Sequence, residues 1–334
     1  MPRLLPALLA LALLLPLAAA EVLPVQWDLR APLPTERTDI GAASLQGSIY
    51  VVGGSAPGPD DLGTRVDAYR VSVNFWDTAP PLPVALHKPV VLGVGYEVLV
   101  LGGHVLVPGD NLQLPDVLPT SETWRLDTSL PENQQVWVPW VPLPMPLTRA
   151  AGATDGFTQV WLFGGEQALG QVSAKAWRMP VIQGRPTGVW IPLPDMPEAR
   201  TRAAAAMVGN GEVWVAGGED GNLNAKASVD VLDITTNTWH SAPPMQQARE
   251  DLALVNGIGD LYALGGRSPT FPLDSVEVFD REAGAWTSVA PMPRASWGMA
   301  GASYLSDVFL VGGHDDVGDP SDLTQQLHVV TNLP

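Results

Sequence analysis

An all-β chain of six repeats is the fold the sequence predicts, and three observations predict it. A β-branched or aromatic run ends in Gly-Gly six times, at 53–54, 102–103, 164–165, 217–218, 265–266 and 312–313. The first glycines of successive pairs lie 49, 62, 53, 48 and 47 residues apart, a period that signals a repeat architecture. Around each pair, short alternating runs are separated by Gly, Asn and Asp, the pattern of antiparallel hairpins rather than of helices.

Within a unit the elements follow one order. A run of small and apolar residues, such as "TRAAAAMVG" at 201–209, reads as the first strand. The run into Gly-Gly is the second, and a polar loop follows it. An alternating stretch such as "SVDVLDI" (228–234) is the third. The fourth carries a tryptophan, phased at Trp76, Trp140, Trp190, Trp239 and Trp286. A proline turn comes next, for example "PPLP" at 80–83 or "PLPDMP" at 192–197. A base follows the turn: Arg37, His87 or Lys88, Arg149, Arg200 or Arg202, Arg249 and Arg294.

These phased units resemble kelch repeats, and the resemblance covers about residues 22–334. It implies a six-bladed kelch β-propeller with four-stranded blades around an axis. The chain ends predict how the ring closes. The sixth pair is followed by "QLHVVTNL" (326–333) but by no Trp strand, whereas "VQWDLRAPLPTER" (25–37) holds a Trp strand and a proline turn with no Gly-Gly before it. Residues 22–30 are therefore expected to supply the outer strand of the last blade, leaving no open edge between blades. The glycine pairs are read as backbone that must crowd the axis without a Cβ. A phosphate cradle would need a helix to follow, and loops follow instead. The phased tryptophans are read as packing between blades, with Trp161 and Trp214 also in the core. Trp297, near the axis, stays open as a contact residue.

Composition narrows the function. The chain has 334 residues, 46% of them hydrophobic, with 33 Gly and 33 Pro. Acids outnumber bases 35 to 18, a net charge of −17, which argues against a nucleic-acid partner. The absence of cysteine excludes disulfides and thiolate chemistry. The first residues, "MPRLLPALLALALLLPLAAAEV", have the layout of a signal peptide, with cleavage expected after Ala20. The domain plan is thus a signal peptide at 1–20 and a propeller at 22–334. The mature chain is expected to be exported, periplasmic or extracellular, not membrane-bound and monomeric.

The loops after the second strands and before the first strands should share one rim. On it fall the residues that follow each Gly-Gly, namely Ser55, His104, Glu166, Glu219, Arg267 and His314, together with the bases Arg37, Arg149, Arg200, Arg249 and Arg294. The bases are read either as anchors of neighbouring loops or as guanidiniums facing a carboxylate ligand. His104 and His314 could bind a metal, but no third ligand is fixed by spacing, and no metal or cofactor is assigned. Copper enzymes of galactose oxidase type resemble this chain in fold, but their cofactor requires a cysteine that it lacks. The acidic loops at 55–61, 218–222 and 312–322 do not match a calcium-loop spacing. The long loop at 104–119 could cover the axial mouth.

The favoured function is a binding module for a protein or glycan partner on the Gly-Gly face. The alternative is a sugar isomerase or mutarotase-like enzyme for an acidic sugar. It rests on resemblance in architecture to the bacterial periplasmic sialic-acid mutarotases. Glu166 or Glu219 with a rim arginine would serve there as acid/base and carboxylate clamp.

Overall fold

The computed structural model describes residues 25–56, 63–107, 116–209, 211–257 and 260–329. Short alternating runs pair as antiparallel hairpins, and six such sheets form the body of the molecule. The first blade holds Gly41–Leu45, Ser48–Val52, Val66–Arg70 and Phe75–Thr78. The fourth holds Ala204–Val208, Glu212–Ala216, Val229–Asp233 and Thr238–Ala242, and the fifth runs from Ala253–Asn256 to Ala285–Val289 in the same way. First strands of successive blades touch around a closed circuit, with the sixth meeting the first, so the blades form a propeller ring. Residues 1–20, read from the sequence as a signal peptide, lie outside the described residues, as does the centre of the 104–119 loop.

Closure follows the predicted route. Val25–Leu29 pairs antiparallel with Thr324–Val329, with Trp27 opposite Leu327. The last blade thus takes three strands from one end of the chain and its outer strand from the other.

The apolar core is divided among the six seams between blades. At one seam Trp214 and Val231 of the fourth blade meet Leu254 and Leu261 of the fifth. At another Ile49 and Tyr69 of the first blade meet Phe309 of the sixth. At five of the six seams an outer-strand tryptophan locks the blades through its indole N–H, whereas the indole N–H of Trp190 in the third blade is buried without such an acceptor. Trp76 donates to the Ala31 carbonyl, Trp137 to Pro80, Trp239 to Pro194, Trp286 to Pro243 and Trp27 to Ala290. Every acceptor belongs to the proline segment leaving the preceding blade, which explains why the tryptophan and the proline turn recur together. In the second blade this role falls to Trp137, not to Trp140. Trp140 lies just past the strand, with the Arg125 guanidinium 4.0 Å above its ring.

The glycine pairs have a more specific reason than axial crowding. The second glycine of each pair donates its N–H to a carbonyl of the next blade, at 2.9–3.0 Å in all six cases. The acceptors are Leu86, Leu147, Arg200, Arg249, Ser296 and, across the closure, Arg37. All twelve glycines have positive φ. A Cβ on Gly217, the first glycine of its pair, would lie 2.5 Å from the Arg249 carbonyl oxygen of the next blade. The constraint is a backbone-to-backbone approach at the seam, not at the axis. The N–H groups a phosphate would need are already used.

Gly217→Ala should therefore destabilise the protein by about 3 kcal/mol or more, combining left-handed strain with a backbone clash across the seam. Gly284→Ala, also at positive φ but with nothing near the new Cβ, should cost about 1 kcal/mol. Urea unfolding of the two variants checks the order; equal losses would remove the seam argument.

Candidate functional site

The carbonyl that receives each glycine N–H marks one column through the repeats: Arg37, Leu86, Leu147, Arg200, Arg249 and Ser296. Three of the predicted rim arginines stand in it, and all three are fully buried. Arg37 donates to the carbonyls of Gly53 and Arg65 and pairs with Asp67. Arg200 donates to Gly217 and Ser228 and pairs with Asp230. Arg249 donates to Gly265 and Ser275, and its ion pair with Glu277 measures 2.6 Å. Burial lowers the Arg37 pKa to about 10, with Asp67 opposing the shift, so the group stays charged at neutral pH. These arginines pin the second strand's end to the third strand of their own blade and do not reach the mouth.

The acid partners form a second column on the third strands, and the two columns change together. Arginine faces Asp67, Asp230 or Glu277. In the third and second blades Trp177 and Trp124 hold the acid's place in the strand register, and they share apolar clusters with Leu147 and Leu86 respectively. Ser296 donates to Gly312 in the sixth blade, where Gln325 holds the partner position and accepts the Arg294 backbone N–H. Arg294 itself is exposed, two residues before its column.

One residue past the column, the chain pairs with the residue after Gly-Gly. The bridges are Thr38 with Ser55, His87 with His104, Thr148 with Glu166, Thr201 with Glu219, Glu250 with Arg267, and Trp297 with His314. The post-glycine ring is thus brought together on one rim, each member held by its own blade.

Two residues past the column, every residue is left-handed: Asp39, Lys88, Arg149, Arg202, Asp251 and Gly298. This turn directs their side chains over the axis, where they line a cavity of about 140 Å³. Backbone bonds follow the ring here as well, Lys88 N–H to Asp39, Arg202 to Arg149, Asp251 to Arg202 and Gly298 to Asp251. Lys88 spans the axis to Asp251 at 2.9 Å and sits 3.3 Å from Asp39. Arg202 binds Asp251 at 2.7 Å and Glu219 at 3.1 Å, and Arg149 binds Glu166 at 2.7 Å. Burial pushes the Asp251 carboxyl up, but Lys88 and Arg202 outweigh it and hold it well below the usual range. Glu219 moves the other way, raised by burial and by the neighbouring Glu250 carboxylate.

The remaining rim side chains are engaged. Arg267 pairs with Glu250 at 2.5 Å and lies 4.6 Å over the Trp297 ring. His314 stacks on the opposite partner position, 3.8 Å from Trp297, while its Nδ1 is 2.9 Å from the Gly318 carbonyl oxygen. His104 is buried, stacked on His87 at 5.4 Å and bonded to Thr148. The two imidazoles face different partners, and among the described residues no group of three potential metal ligands converges. In the acidic loops, Asp315 accepts the N–H groups of Val317 and Asp319, and Asp220 accepts that of Asn222. Asp39, Asp251, Glu250 and Gly298 were not selected from the sequence. Their signal is the in-phase pair after the column: Thr-Asp, His-Lys, Thr-Arg, Thr-Arg, Glu-Asp, Trp-Gly.

Comparison with known proteins meets this geometry at the same column. The kelch motif matches residues 200–246 and 255–293, the first stretch opening on Arg200. The fourth and fifth units of this chain carry the kelch motif. Kelch-like protein 25 of Xenopus tropicalis is 24% identical over 223 residues, covering 65% of this chain and 34% of that protein. Kelch-like protein terF of Aspergillus terreus is 26% identical, covering 70% and 51%. The chain thus spans about a third to a half of the length of these curated relatives. The solved structure of YjhT superposes with a TM-score of 0.73 at 13% identity, covering 91% of this chain and 98% of that one, a likeness of fold.

Two outcomes are expected. Arg249→Leu should cost about 3–5 kcal/mol, because it leaves Glu277 buried without its partner. Adding Glu277→Trp, which copies the kelch blades that use leucine and tryptophan, should recover part of that loss in urea unfolding; no recovery would break the pairing of the two columns. The second concerns acid. Burial, then His87, lower the His104 pKa to about 3 from 6.5. Between those values the unfolded chain binds a proton that the folded chain does not, so stability falls as the pH drops through this window. His104→Gln should flatten that fall in thermal melts from pH 7 to pH 3.5.

Proposed function

We propose that this kelch propeller is an exported binding module that takes a protein partner on its Gly-Gly face. The observation that carries this reading is the state of the axial mouth. Lys88 bridges the mouth to Asp251, and Arg149 and Arg202 hold Glu166, Glu219 and Asp251. Charges that neutralise one another across a cavity of about 140 Å³ do not make a prepared substrate clamp. The sugar-isomerase alternative needs a free guanidinium beside a free carboxylate, and here those groups hold each other.

The surface that remains for binding is the loop rim around the mouth. Its backbone is fixed by paired bridges while its side chains differ from blade to blade, the arrangement in which rigid scaffolds carry specificity. A protein suits this rim better than a glycan, because Trp297, the tryptophan beside the mouth, has its ring covered by His314 and Arg267. Kelch-like relatives supply the prior for protein recognition by the fold; the partner itself is a property of this chain. The leader "MPRLLPALLALALLLPLAAA" supports export, with a mature chain starting at Glu21.

A photo-crosslinking residue placed at Ser268 or Asn222 on the Gly-Gly face should yield a discrete adduct in the producing cells, whereas one at Gln183 or Gln46 on the other face should not. Adducts only from the second pair would refute the face assignment. Mass spectrometry of the secreted fraction should find an N-terminus at Glu21; retention of the leader would remove the export part.

A further inference from the structure

Four loops on the Gly-Gly face are closed alike. In the third to sixth blades the residue after Gly-Gly bridges back to a residue five or six positions on: Glu166 to Val172, Glu219 to Ala225, Arg267 to Pro272, His314 to Pro320. In the fourth, fifth and sixth blades the loop also exposes one large apolar side chain. Leu223 is 71% exposed, Phe271 57% and Val317 78%. Single exposed apolar residues are ordinary on protein surfaces. Three in the corresponding loops of consecutive blades are a pattern.

Leu223 adds an independent observation. Its φ is +62, the left-handed region that a leucine occupies only under strain. Neither the backbone, which would favour glycine or asparagine, nor the core, which it does not touch, accounts for leucine there. Strain held at an exposed apolar tip points to contact with something outside the chain.

The surroundings of the tips select that partner by charge. Asp274, Asp316, Asp319 and Asp322 are exposed on these loops, and Asp220 is half-buried. Among their bases, Arg267 is tied to Glu250 and Lys226 to Glu198, leaving Arg294 on the adjoining proline turn as the exposed base. The arc is therefore acidic within a chain of net charge −17.

We infer that the loop arc of blades four to six is a docking surface for a cationic segment of a partner protein, one that places apolar side chains against Leu223, Phe271 and Val317 and Lys or Arg residues against Asp274, Asp316 and Asp319. The inference rests on the protein-binding reading of the Gly-Gly face and specifies its chemistry. Apolar tips supply area that leaves water, and the carboxylates supply orientation and long-range attraction that weakens with salt.

The test is a selection of random 12-residue peptides displayed on phage against the full chain. The enriched peptides should be net positive with at least two large apolar residues. In fluorescence anisotropy their binding should weaken tenfold or more in Leu223→Ser/Phe271→Ser/Val317→Ser and, separately, in Asp274→Asn/Asp316→Asn/Asp319→Asn. It should be unchanged in Tyr96→Ser/Phe157→Ser, two exposed residues of the opposite face. All substitutions are at exposed positions, and thermal melts confirm that each variant is folded. No enrichment, enrichment of neutral or acidic peptides, or basic peptides that bind the serine triple variant as well as the parent would each overturn the inference. If the inference fails while crosslinks at Ser268 or Asn222 persist, the Gly-Gly face remains the binding face and only the arc's chemistry is lost. If both fail, the face assignment falls as well.

Discussion

The hydrogen bond from the second glycine of each pair to a carbonyl of the next blade organises this molecule. It is made of backbone alone, so it can be identical six times while the side chains around it differ. It brings the blades so close that a Cβ on the glycine before the donor would collide with the same carbonyl, while one on the donor would collide with its own blade, so both places take glycine. The close approach also brings the apolar faces of neighbouring sheets together, and the core accordingly lies in six seams. Because the last of the six bonds runs from Gly313 to Arg37, the ring closes only after the two chain ends have met in one blade.

Beneath each of these bonds one interior position must be filled, and the chain fills it in three ways. Arginine with an acid, leucine with tryptophan, and serine with glutamine occupy the same pair of places. The charged solution saturates the carbonyls at the strand ends but requires a second buried charge. The apolar solution leaves those carbonyls to the backbone and replaces the ion pair with packing. That both occur in one ring indicates near-equal net stability, as expected when desolvation offsets most of the attraction in a buried ion pair. The consequence for function is direct: arginines in this column are committed to the scaffold, however much their spacing after the proline turn suggests a rim.

The fold was legible because its determinants are local and repeated. Gly-Gly, the tryptophan and the proline turn are short motifs whose period survives any single irregular unit, and the half-unit at residues 25–37 announced the closure. The site was less legible because its chemistry depends on offsets of one or two residues. Arg200 and Arg202 are near-equivalent in sequence, yet one is sealed inside its blade and the other lies over the axis. Arg294, grouped with them by its place after a proline turn, is two residues early and faces solvent. Trp140 and Trp137 exchange roles by a similar slip. No composition rule resolves such offsets; the third-strand column resolves them, since Asp67, Asp230 and Glu277 each lie 28 to 30 residues after the arginine they bind.

Strain separates scaffold from specificity in this ring. The five non-glycine residues over the axis, Asp39, Lys88, Arg149, Arg202 and Asp251, are all left-handed, at about 1 kcal/mol each. Since every blade carries this conformation at that place, it belongs to the architecture, held by the backbone bonds that run from blade to blade. Leu223 carries the same conformation at a loop tip, where the matching loops of the third and sixth blades place Gly170 and Gly318. A cost repeated in five of the six blades describes how the ring is built; a cost borne by one exposed leucine, with Phe271 and Val317 on the neighbouring loops, describes what the ring presents. The functional residues of a repeat protein are therefore better sought among departures from the repeat that are stabilised by nothing inside the chain than among its most conspicuous charged positions.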